Sequence, residues 1–128
     1  MEIWIKTIPQ DKHRYETCGD YWFHPDLINV RVSQMENEDY EFLVAIHELV
    51  EAYLVKKRGI SEPEIMAFDI AFNETGKDSE PGDEPDAPYR KEHFFATTIE
   101  RLVHLFFIWL MGQQFMISGG KTSVLLIV

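Results

Sequence analysis

The chain has 128 residues, with 22 acidic and 12 basic side chains, a formal net charge of −10 and one cysteine. This length accommodates one domain with a core of its own, and it is too short for two ordinary domains. The acidic balance argues against nucleic acid and anionic membrane surfaces as direct partners, because both attract positive patches.

The cysteine content and the apolar segments predict where the protein resides. Cys18 has no second cysteine to pair with, which is typical of a reducing compartment. The chain opens without an apolar leader, and its longest apolar run, residues 105–111, is far shorter than the ~20 residues that span a bilayer. We therefore expect a cytoplasmic protein that does not enter a membrane.

Residues 1–35 are rich in β-forming side chains. Apolar residues at 3–5, aromatic residues at 21–23 and an alternating segment at 27–32 are separated by turn signals at 18–20 and 24–26. The pattern predicts a small sheet of two or three strands.

The rest of the chain predicts about three helices, and the fold class is therefore α+β. The first helix covers 39–58 and ends at Gly59, which suits a left-handed C-cap. The second covers 61–74, with capping-box spacing between Ser61 and Glu64. A proline-rich loop at 75–88 precedes a third helix at 89–111. The tail, 112–128, is predicted as a turn before a short apolar strand or as a peripheral extension.

The negative charge is concentrated in one part of the chain. Residues 60–88 contain nine carboxylates and a single base, Lys77, and so carry −8 of the net charge of −10. The acidic loop at 75–88 either overhangs a cation site or is a solubilising connection between helices.

The first helix carries three polar residues with the spacing of a metal site. His47 and Glu51 are four residues apart, so they lie on one face and can bind the same cation. Glu48 lies one step around the helix, where it can handle the proton of a bound water. The alternative is a solvated polar face.

The third helix carries a polar stripe on an apolar background. His93, Thr97, Glu100 and His104 lie within about 60° of one another on a helical wheel, and apolar residues occupy the other faces. A helix of this composition is expected to be buried on most sides, together with its stripe. The buried histidines and carboxylate then need partners.

Metal ligation satisfies these groups most simply. Together with His47 and Glu51 of the first helix, the stripe indicates a metal site with nitrogen and oxygen ligands. Zinc is the preferred metal, and manganese or iron would accept the same ligands. A hydrogen-bonded core network without metal is the alternative.

Residues 46–52, IHELVEA, resemble the HExxH helix of zincin metalloproteases, with glutamate in place of the second histidine. A small sheet before this helix is similar to the minimal zincin core. The resemblance implies that His47 and Glu51 are ligands and that Glu48 is the general base. Zincins often take a third ligand from downstream, for which His93 is preferred and Asp69 is a further candidate.

A wider resemblance covers about residues 20–104. The segments 40–53, 67–69, 80–89 and 93–101 are together similar to a group of small phage and prophage proteins, for which no activity is implied.

Three hypotheses follow. The first is a zincin-like, metal-dependent hydrolase, with peptide bonds as a candidate substrate, in which His104 or Tyr89 supports the oxyanion. The second is a metal-binding protein without catalysis, and the third is a phage accessory protein whose stripe is a core network. Apolar residues of the third helix, such as Phe106, Phe107 and Trp109, line either a core or a homodimer interface.

Overall fold

A computed structural model of the chain describes residues 1–118, with side chains up to Gln113. The strands are β1 (Glu2–Ile8), β2 (Gly19–His24) and β3 (Leu27–Ser33). The helices are α1 (Glu38–Arg58), α2 (Glu62–Glu74) and α3 (Arg90–Ser118). A small N-terminal sheet followed by three helices confirms the α+β prediction.

The sheet has the order β1-β3-β2, so β3 is its central strand. β1 pairs parallel with β3, and β2 pairs antiparallel with it. Ile28, Val30 and Val32 are fully buried at the alternating positions of β3. They pack with Ala52 and Val55 of α1, which holds this helix against the sheet.

Both ends of α1 are defined by capping residues. The Asn37 side chain accepts a hydrogen bond from the Tyr40 amide at 3.2 Å. Gly59 ends the helix with φ 79°, as its position predicted. By contrast, Ser61 precedes α2 without a side-chain capping bond, so the predicted capping box is absent.

α3 is longer than the sequence pattern indicated. Residues 112–118, predicted as a turn or extension, continue the helix to Ser118. The reason is that Gly112 is followed by helix-forming residues and by no proline, so a single glycine does not end the helix. The strand considered for the tail falls on residues 119–128, outside the described residues.

The expectation that α3 is buried on most sides is wrong. α1 covers one face only, and Phe94 and Leu105 on the outer face are 72% and 62% exposed. By length and composition alone, Arg90–Gln113 is long and apolar enough to cross a membrane. The 105–111 run seemed too short because it counted only uninterrupted apolar residues.

Candidate metal centre

The site lies between α1 and α3, which run antiparallel. At one end, Arg58 of α1 donates a hydrogen bond of 2.8 Å to Glu92 of α3. At the other end, the rings of Phe42 and Phe107 lie 6.0 Å apart. These contacts hold the middle of α1 against the first turns of α3.

Three side-chain atoms converge between the two helices. His47 Nε2 lies 3.2 Å from Glu51 Oε2 and 3.2 Å from His93 Nδ1, and the last two atoms are 2.9 Å apart. The residues are only 7%, 4% and 6% exposed, respectively. The geometry brings together two nitrogen donors and one oxygen donor, as the helical spacing predicted for His47 and Glu51.

Two of these side chains are held from behind by a hydrogen-bonding partner. Glu51 Oε1 accepts a hydrogen bond of 3.0 Å from the Tyr21 hydroxyl of β2, which leaves Oε2 to face the cluster. His47 Nδ1 lies 2.9 Å from Glu100 Oε2. When Nδ1 donates its hydrogen bond to Glu100 and Nε2 loses its proton, the Nε2 lone pair can bind a metal ion.

The acidic loop places two carboxylates close to His93. Its Nε2 lies 3.1 Å from Glu80 Oε2 and 3.4 Å from Asp83 Oδ1. Gly82, in the 3-10 turn Pro81–Asp83, lies so close to the ring that a Cβ there would overlap it. The acidic loop therefore lies over the site, which is the first of the two interpretations that its sequence allowed.

The carboxylates also determine the protonation of the cluster. Burial favours neutral imidazole, but hydrogen bonds with Glu100 and Glu51 outweigh it and raise the pKa of His47 to about 11. Burial is likewise outweighed at His93, where Glu51 and Glu80 raise the pKa to about 9. Burial would raise the pKa of Glu51, but its hydrogen bonds to both histidines lower it.

Glu48 lies next to the cluster at the wall of a cavity of about 240 Å³. It is half-buried and reaches solvent through this cavity. Burial, followed by the charge of Glu51, raises the pKa of Glu48 to about 8. Gly19 of β2 packs against this carboxylate so closely that a Cβ would overlap it.

Asp69, a candidate third ligand, also lines the cavity but is not among the converging atoms. Its carboxylate accepts hydrogen bonds from the Tyr15 hydroxyl at 3.0 Å and from the Tyr89 hydroxyl. Burial raises the pKa of Asp69 to about 6, although the hydrogen bonds oppose this change. Asp69 therefore fixes the positions of the Tyr15 and Tyr89 hydroxyl groups by accepting their hydrogen bonds.

The polar stripe of α3 divides into three parts. His93 is one of the converging residues, and Glu100 lies on the far side of His47 rather than among the ligand atoms. His104 is exposed on the outer turns of the helix. It was expected to be buried with the stripe, but α3 is exposed there, so the structure does not place it with His93.

Sequence reasoning missed Tyr21, Glu80, Gly19 and Gly82. Tyr21 was interpreted only as part of a strand, and Glu80 as one of many loop acids. The motif EPGD at 80–83 carried the available signal, since a glycine between acids allows close backbone approach.

Comparisons with protein-family models, with curated proteins and with solved structures give no significant match. The zincin and phage resemblances therefore remain predictions from the residues that carry them.

Proposed function

We propose that this protein is a zincin-like, metal-dependent hydrolase in which His47, Glu51 and His93 bind a divalent cation, zinc foremost. The convergence of His47 Nε2, Glu51 Oε2 and His93 Nδ1 within 2.9–3.2 Å carries this proposal. Two imidazoles and a carboxylate are a ligand set that leaves a fourth position for water or substrate.

The spacing of the three atoms supports a tetrahedral metal. Ligand bonds of about 2.0–2.2 Å imply separations of about 3.3–3.6 Å between donor atoms in a tetrahedral zinc site. The observed separations of 2.9–3.2 Å differ from these by only a few tenths of an ångström. Small rotations of the side chains are enough to accommodate the ion.

The partners behind the ligands support the same proposal. Metal-binding histidines commonly donate their second N–H to a carboxylate, which orients the ring and makes it a stronger ligand. Glu100 stands in this position behind His47. Glu80 lies 3.1 Å from the second ring nitrogen of His93 but does not form a hydrogen bond with it.

Glu48 is the proposed general base. A bound metal would supply Lewis acidity toward a substrate carbonyl and an acidified water. Glu48 follows His47 directly, faces the cavity and has a pKa near 8, so its carboxylate form can accept a proton from water near neutral pH. Glu51 and the loop acids reduce the positive charge of the centre, which favours a moderately acidic rather than a strongly acidic water.

The cavity admits a small or extended substrate, and we propose that this substrate is a peptide. Its wall combines apolar Ile65 and Met66 with the hydroxyl groups of Tyr15 and Tyr89. Tyr89 donates to Asp69, so support of an oxyanion by Tyr89 would require it to exchange this partner. We also propose a cytoplasmic location, on the basis of the lone cysteine and the composition of the chain.

A second candidate is a metal-binding accessory protein without catalysis, such as a phage or prophage protein. It is favoured by the position of the converging atoms, which join α1 to α3. An ion there would link two helices whose remaining contacts leave much of α3 exposed.

Replacement of the proposed base separates these candidates. Glu48→Gln should keep the metal, because Glu48 is not a proposed ligand, and should lower peptide hydrolysis by about 10²–10⁴-fold. Metal content and cleavage of a fluorogenic peptide library are measured on the same samples. Equal rates in both proteins would contradict the role of Glu48. Metal-loaded wild type that cleaves no peptide would leave the second candidate.

A further inference from the structure

The outer face of α3 carries an apolar stripe that the proposed metal site does not use. On a helical wheel with Phe94 at zero, the six members of the stripe lie within about 120°. They are Phe94, Phe95, Leu102, Leu105, Phe106 and Trp109. Each is 41–72% exposed, so nothing among the described residues covers this face.

The opposite face of α3 is already occupied. His93, Ala96 and Glu100 lie about 180° from the centre of the stripe and face α1. His93 and Glu100 contact His47, and Ala96 is fully buried. These contacts with His47 therefore hold α3 against α1 and leave the stripe facing outward.

We propose that the stripe is the interface of a homodimer, in which α3 packs against α3 of a second copy. At about 150–250 Å² for each aromatic side chain and somewhat less for leucine, the exposed fractions correspond to roughly 600 Å² on one copy. A specific interface typically buries about 800 Å² on each partner. The stripe alone supplies most of this area, and the exposed Ile108 and Met111 flank it.

The charge distribution indicates an antiparallel arrangement. The acidic loop precedes the start of α3, whereas residues 102–113 contain no aspartate, glutamate, lysine or arginine. Antiparallel packing places each acidic loop beside the uncharged end of the partner's helix. Parallel packing would bring the two acidic loops together, at an electrostatic cost.

A membrane is a poorer partner for this helix. The segment that is long enough to span a bilayer, Arg90–Gln113, includes Arg90, Lys91 and Glu92 together with two residues of the metal site. Inserting it would bury these ionisable groups in lipid and separate α3 from α1. Lipid binding is therefore an outcome that the test must detect.

Sedimentation equilibrium of the full chain tests the proposal. We expect a mass of twice 15.0 kDa for the wild type. Leu105→Glu should weaken association by at least about 100-fold, since it places a charge in the apolar interface. Ile70→Glu is the matched control, because Ile70 is a 41% exposed apolar residue on α2, and it should remain dimeric.

Cysteine crosslinking tests the orientation. In a Cys18→Ser background, Leu102→Cys lies near the middle of the stripe and should form an intersubunit disulfide under mild oxidation. Phe95→Cys should not, because antiparallel packing separates its two copies by about 20 Å at 1.5 Å per residue. Crosslinking of Phe95→Cys would instead show parallel packing and overturn the antiparallel arrangement.

Two results would overturn the dimer itself. The first is a monomeric wild type at 100 µM concentration, whether or not it floats with phosphatidylcholine vesicles. The second is a dimer whose mass is unchanged by Leu105→Glu. Flotation of a monomer would assign the stripe to a lipid surface. Metal content of Leu105→Glu, measured in parallel, shows whether the site remains intact.

Discussion

The two faces of α3 follow opposite rules of burial. The face toward α1 buries polar side chains such as His93, whereas the outer face exposes phenylalanine, leucine and tryptophan from Phe94 to Trp109. Ionisable groups are normally buried only with partners, and large apolar patches are normally exposed only where something binds. The comparison teaches that the inner face of the helix holds the converging side chains, whereas the outer face is the surface for which we propose a partner.

The largest expected effect distinguishes the two histidines of α3. His93→Ala should lower the affinity for Zn²⁺ by more than about 100-fold, because it removes a converging ligand rather than an outer partner. His104→Ala is the matched control, since His104 is exposed and its removal should leave the affinity unchanged. Competition with a chromogenic chelator measures both. Equal losses of Zn²⁺ affinity in the two variants would mean that His93 and His104 act together, and would contradict the separation of these two residues.

The residues behind the ligands should have smaller effects. Tyr21→Phe frees Glu51 Oε1, and Glu100→Gln replaces a charged acceptor of His47 with a neutral one. Each should lower Zn²⁺ affinity by about 10–100-fold, the usual effect of such partners. The visible spectrum of the Co²⁺-loaded protein should stay tetrahedral, because the ligands themselves remain. A spectrum without tetrahedral character would show that Tyr21 or Glu100 determines the ligand set itself.

A further expected effect is on the stability of metal-free protein at different pH values. The pKa of His93 is raised from 6.5 to about 9, so its stabilising contribution is full below pH 6.5 and is lost as the pH rises through 9. The pKa of Glu48 is raised from 4.5 to about 8, so its ionisation destabilises the fold as the pH rises over that interval. The contribution of His47, whose pKa is raised to about 11, falls over the same interval, so we expect a loss of a few kcal/mol between pH 6 and pH 9.

Urea unfolding at fixed pH measures this change, with chelator present throughout. His93→Asn and Glu48→Gln should each reduce the pH dependence. Stability that increases from pH 6 to pH 9 would contradict the charge states assigned to the cluster.

Local sequence patterns predicted the elements and the approach of His47 to Glu51 well. Alternation in β3, the Gly59 cap and the i, i+4 spacing of His47 and Glu51 are properties of neighbouring residues, which periodicity reports directly. The pairing of His93 with them followed from its polar stripe.

The remaining features depend on contacts between distant segments. Glu100 and His93 share a stripe, but only the position of α1 decides that Glu100 lies behind His47. Tyr21 reaches Glu51 because β2 lies beside α1, a relation that no helical wheel contains. His104 was misplaced because apolar composition predicts burial, and it does so equally for a core and for an interface.

Metal content tests the central claim most directly. The full chain, purified without added metal and then incubated with Zn²⁺ and passed through a desalting column, is analysed by inductively coupled plasma mass spectrometry. We predict one Zn²⁺ per chain, and its absence from His47→Ala. Only trace metal in wild type after this loading, with the fold intact by circular dichroism, would contradict the metal centre.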